Sequence, residues 1–85
     1  MENAVLEPAA AKKGLSLAVL EVLRRESDAE HPLHQKAILD LLADIYRMEA
    51  DRKTLRLHIR LLLAMGYPIE HGKGGWYYEH EFADP

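Results

Sequence analysis

The stretch DRKTLRLHIRLLLAMGYPIEHGKGGWYYEHEF, residues 51–82, decides the fold. It opens on Asp51, whose side chain can cap a helix by accepting a backbone N–H from the first turn. From Arg52 to Met65 the apolar residues Leu55, Ile59 and Leu62 share one helical face. Gly66 follows, where a left-handed residue commonly closes a helix. Tyr67–Glu70 and Trp76–Phe82 are short runs rich in aromatic and β-branched residues. Between them lies His71-Gly72-Lys73-Gly74-Gly75. The pattern predicts two strands joined by a glycine-rich hairpin loop.

Working back toward the N-terminus, Gln35 to Arg47 places Ile38, Leu41, Leu42 and Ile45 at i, i+3, i+4, i+7, with Lys36, Asp40 and Asp44 away from that face. His34 falls at the N-cap position, for which histidine is a poor side chain. Met48-Glu49-Ala50 is a short connection to Asp51. An earlier helix from Lys13 to Glu26 carries Leu15, Val19, Val22 and Leu23, with Leu17, Ala18 and Leu20 widening the stripe. It ends in Ser27-Asp28-Ala29-Glu30-His31-Pro32, where the proline disfavours helix in the residue before it. Residues 1–11 read as a flexible tail, 12–82 as the domain, and 83–85 as its end or the start of a linker. The expected fold is mainly α with a small β-hairpin. Three helices plus a two-stranded wing make a winged helix-turn-helix.

Composition bounds the chemistry. Eighty-five residues, 48% hydrophobic and 29% charged, suit one small globular domain. The absence of cysteine excludes disulfide scaffolds, zinc ribbons and cysteine nucleophiles. No apolar run approaches a membrane span, the longest being Leu61 to Met65. Met1 to Glu7 has two glutamates and no lysine, unlike a signal peptide, so a cytoplasmic location is expected. The net charge of −3 taken whole counts against a nucleic-acid binder. Its distribution says otherwise. Arg52 to Ile69 holds four basic residues and no acidic one, so +4 is concentrated there and −7 lies elsewhere.

On a helical wheel, the outer face of the third helix carries Lys53, Thr54, Leu57, Arg60 and Leu61, with Arg56 at its edge. Such a face suits the major groove, where arginine can pair bidentately with guanine and lysine can neutralise phosphate. A solvated helix surface is the plain alternative. Against it, Arg52, Lys53 and Arg56 lie in the first half of the helix, where the macrodipole disfavours positive charge. Lys73 at the hairpin tip is placed to reach a flanking phosphate, and Gln35 and Lys36 open the second helix, where amides can grip another. Either feature alone also fits a polar surface.

Other chemistry finds less support. Trp76, Tyr77, Tyr78 and Phe82 could stack on single-stranded bases, but alternate strand residues covering a helical core explain them better. The five histidines, His31, His34, His58, His71 and His80, form no helical i, i+4 pair that would suggest a metal site. Asp40 and Asp44 are scattered carboxylates on an exposed helix side. No nucleophile stands beside a base, so no enzyme and no cofactor is expected. Leu57 and Leu61, one turn apart on the outer face, fit DNA reading poorly unless they meet thymine methyl groups. With Leu17 and Leu20 they also suggest a protein interface, either a homodimer that pairs two DNA readers or an interaction module that no longer reads DNA.

Four blocks carry a resemblance: His31-Pro32-Leu33-His34-Gln35-Lys36, Asp51-Arg52-Lys53-Thr54-Leu55-Arg56, Gly66-Tyr67-Pro68-Ile69-Glu70, and Gly75-Trp76-Tyr77-Tyr78-Glu79-His80-Glu81-Phe82. In this order and spacing the chain resembles the N-terminal winged-helix domain of bacterial WYL-domain transcriptional regulators. The resemblance spans about Lys13 to Phe82. It implies sequence-specific binding of double-stranded DNA in transcription regulation, with Arg52, Lys53, Thr54 and Arg56 against DNA. Two departures stand out. Leu57-His58 replaces the family's common Arg-Asp, removing one DNA-facing cation. Pro85 falls about where the linker to a C-terminal ligand-sensing domain would begin, leaving open an excised domain or a standalone regulator.

Overall fold

Three helices share one set of aliphatic side chains, and a hairpin covers the side they leave open. The computed structural model describes residues 8–83. The elements are α1 (Pro8–Glu26), α2 (Gln35–Tyr46), α3 (Arg52–Ala64), β1 (Ile69–Gly72), β2 (Gly75–Tyr78) and a single turn of helix, α4 (His80–Ala83). This is the mainly helical winged helix-turn-helix layout with a two-stranded antiparallel wing.

The core forms where the stripes predict it. Leu15, Val19, Val22 and Leu23 of α1 meet Ile38 and Leu42 of α2, and Leu55, Ile59 and Leu62 of α3. Ile69 and Tyr78, opposite each other in the hairpin, close the cluster from the wing side. Each large side chain so buried contributes roughly 1.5–3 kcal/mol relative to its exposed state. Ser16 of α1 and His58 of α3 add a hydrogen bond of 2.5 Å between the two helices.

Several boundaries move. α1 begins at Pro8, inside the stretch expected to be tail. Proline suits a first turn, where no amide donor is needed, and Ala9-Ala10-Ala11 are strong helix formers. The rest of that expected tail, residues 1–7, lies outside the described residues, as do residues 84–85 of the C-terminal segment. Ile45 is 49% exposed: it shares the α2 stripe, but in the last turn, and the half-buried Tyr46 packs on the core there. α2 closes on Arg47 in the left-handed region, φ 56°, the one non-glycine residue with positive φ among those described.

The wing departs further from expectation. His71 and Gly72 belong to β1, so the turn shrinks to Lys73-Gly74, with Gly74 at φ 97°. β2 stops at Tyr78 and does not continue to Phe82. Beyond it the Glu79 amide donates to the Pro68 carbonyl at 2.8 Å, and the chain turns into α4. Phe82 therefore lies in α4, and its side chain is outside the described residues.

Two long-range links fasten the wing. Leu33, just before α2, exchanges both backbone hydrogen bonds with Trp76, at 2.7 and 2.8 Å, making a one-residue third strand. Ser27, buried after α1, donates its hydroxyl to the Leu23 carbonyl at 2.6 Å and accepts the Tyr78 amide at 3.0 Å. The His80 ring Nε2 donates to the Ser27 carbonyl at 3.1 Å.

Candidate nucleic-acid interface

α3 owes its start to Asp51. Its carboxylate accepts the Thr54 amide at 2.7 Å, and the Thr54 hydroxyl and the Lys53 charge add to that bond. These interactions hold the Asp51 carboxyl below the usual carboxylate range. α2 starts on His34, whose Nδ1 accepts the Ala37 amide at 3.3 Å. The histidine therefore caps after all, in the tautomer that leaves Nδ1 unprotonated.

The two helix starts and the wing surround one open groove of about 560 Å³. Its lining comprises His34, Gln35 and Lys36 from the start of α2, Arg52 and Arg56 from α3, and His71, Gly72, Gly74, Gly75 and Trp76 from the wing. Three permanent cations face this space and no carboxylate lines it. Lys36 is shared with Asp40, 3.0 Å away, in an exposed pair that holds it only loosely. Among the described residues, Arg52, Lys53, Arg56, Arg60 and Lys73 pair with no carboxylate. α3 has no acid in its first turn and no base in its last, so its charges run against its dipole.

Side chains four apart on a helix make a ridge. α3 presents two. Arg52, Arg56 and Arg60 form one, and its first two members enter the groove. Lys53, Leu57 and Leu61 form the next, with Leu57 and Leu61 at 52% and 49% exposure.

Of the residues expected to contact DNA, Gln35, Lys36, Arg52 and Arg56 line this one groove. Lys53 and Arg60 are exposed on the outer face beside the groove, and Lys73 stands on the hairpin tip between two lining glycines. Thr54 is half-buried, with its amide committed to the cap. The expected protein interface divides in two. Leu17 and Leu20 line a shallow groove with Tyr46 and Met48, in which neither Leu57 nor Leu61 takes part, and Leu20 is half-buried against the core.

His34, His71 and Trp76, with the wing glycines Gly72, Gly74 and Gly75, are the groove residues that sequence reasoning did not assign. The Trp76 ring leans on His71 with centroids 4.3 Å apart, so one half-buried aromatic both supports the core and floors the groove. Cross-strand pairing of His71 with Trp76 was open to inference once the hairpin register was known. The remaining histidines are in local contacts: His31 with Asp28 at 2.9 Å, His58 with Ser16, and His80 with Ser27.

No family model, curated protein or solved structure matches this chain. Its chemistry must be read from the groove. Convergent cations, two helix starts and a wing can hold a polyanion across several contacts, and an exposed helix ridge beside them can enter a groove of that polyanion. Among the described residues no helix is long and apolar enough to cross a membrane.

Proposed function

We propose that this chain is a sequence-specific double-stranded DNA-binding domain of a cytoplasmic transcriptional regulator. α3 enters the major groove, and the start of α2 and the wing hold the flanking backbone. One observation carries the reading: Lys36, Arg52 and Arg56, from two helices, converge with the wing on a groove that no carboxylate lines. The likeness of the four sequence blocks to WYL-type regulators supports it. A C-terminal ligand-sensing domain in a longer parent chain and a homodimer on a two-fold operator are the partners that likeness brings.

Fluorescence anisotropy on random-sequence duplex, at low and moderate salt, tests the reading. With about five phosphates neutralised per protomer, log K is expected to fall against log salt with a slope of roughly −4 to −5. Arg56→Glu should abolish binding by placing a carboxylate in the groove. Absence of binding at low salt, or binding insensitive to salt, would falsify the DNA reading.

The exposure of Leu57 and Leu61 favours a second reading, a winged-helix interaction module without DNA recognition. Leu61→Glu separates the two. A variant that loses self-association yet keeps DNA affinity assigns these leucines to a protein interface.

A further inference from the structure

Leu57 and Leu61 are apolar points set in a cationic surround. Lys53 precedes them on their own ridge, Arg56 and Arg60 flank them on the next, and Arg52 to Ile69 contains no acid. Both side chains are about half exposed, although the α3 core face is complete without them. A second copy is a poor occupant. A two-fold contact sets the same patch against itself, here placing two +4 segments face to face. The complementary partner is negatively charged and presents small apolar groups at the depth a helix reaches. The DNA major groove does so wherever a pyrimidine carries a C5-methyl group.

We propose that Leu57 and Leu61 read thymine methyl groups, which makes this a domain for thymine-containing sites. The inference rests on the DNA reading above and adds a base preference to it. The spacing fits: residues four apart on a helix are separated by about 6 Å along its axis, and successive bases of one strand by about 3.4 Å. The pair can thus span two stacked steps. Methyl contacts also account for two leucines set among the hydrogen-bonding residues of the outer face. Arg60 and Lys53 supply charge there, and the leucines supply discrimination.

Deoxyuridine differs from thymidine only by that methyl and keeps its hydrogen-bonding groups. Duplexes selected from a random pool are resynthesised with deoxyuridine throughout and titrated by anisotropy with the full chain. The native protein should lose roughly fourfold in affinity for each methyl contacted. The Leu57→Ala/Leu61→Ala variant, checked for an unchanged urea midpoint, should bind both duplexes alike. Equal affinity of the native chain for the two duplexes, with salt dependence retained, overturns the methyl reading and leaves DNA binding standing. A thymidine preference undiminished in the double variant also overturns it. No association with any duplex at low salt defeats the DNA reading itself. Self-association lost in Leu61→Glu with DNA affinity intact gives the ridge to a second copy and overturns the proposal.

Discussion

A Cβ at position 75 would stand 2.2 Å from the Leu33 carbonyl oxygen, with φ at 146°, where L side chains are strained. Glycine is required there because β2 must approach the Leu33 backbone to exchange hydrogen bonds with it. Gly75→Ala is expected to cost roughly 3 kcal/mol or more, combining strain with overpacking. Gly66 gives the contrast: its φ is 95°, but nothing lies within 4 Å of a built Cβ. Gly66→Ala should cost only the left-handed penalty of about 1–2 kcal/mol, and urea denaturation of the two variants checks the difference. Asp51 is a matter of protonation. Its folded pKa is lowered chiefly by the Thr54 amide, so its contribution is complete above the unfolded carboxylate value and disappears as pH falls through the folded one. Asp51→Asn should keep most of the cap at neutral pH and flatten the acid side of the stability profile, measured as urea midpoint against pH. The alternation of Trp76 and Tyr78 foretold the covering of the core. Nothing local marked Ser27, whose partner is 51 positions away.

At the scale of elements, the wing is held to the helices by few bonds. Ser27→Ala removes a hydroxyl that bridges Leu23 and the Tyr78 amide, leaving a buried donor unpaired at a cost of roughly 1–3 kcal/mol. The expected readout is faster hydrogen exchange at the Tyr78 amide than in α3. Trp76, the single tryptophan, reports the same event by fluorescence from within the groove. Helix phase was legible where burial repeats with the helical period: Leu55, Ile59 and Leu62 are buried as predicted, whereas Ile45 in the last turn of α2 is not. Strand ends were less legible. Tyr78 to Phe82 has the composition of a strand, yet β2 ends at Tyr78, where Ser27 takes up the Tyr78 amide and Pro68 the Glu79 amide. The ridge of Arg52, Arg56 and Arg60 was implicit in a four-residue spacing, but its facing the wing depends on how α3 packs.

For the molecule as a whole, charge separation governs encounter. Acidic residues outside Arg52–Ile69 total seven more than basic ones, so on the proposed DNA reading the rest of the chain would repel a duplex and the α3 side would attract it. Non-specific affinity should therefore be modest and steeply salt-dependent. If Lys73 holds one phosphate as proposed, Lys73→Ala should weaken all duplexes alike and reduce the salt slope by about 0.9. Sedimentation at high micromolar concentration, with and without duplex, measures whether two protomers assemble on one site.

The sequence by itself determined the helices, their buried faces, the hairpin and the concentration of positive charge on α3. Each depends on residues within a turn or two of one another, where period and capping act directly. Only the tertiary structure decided that Leu33 joins the wing, that Ser27 anchors it, and that Lys36, Arg52, Arg56, His71 and Trp76 border a common groove. Those neighbours are distant in the chain, and their meeting follows from how the helices pack around the core and where the hairpin is fastened to it.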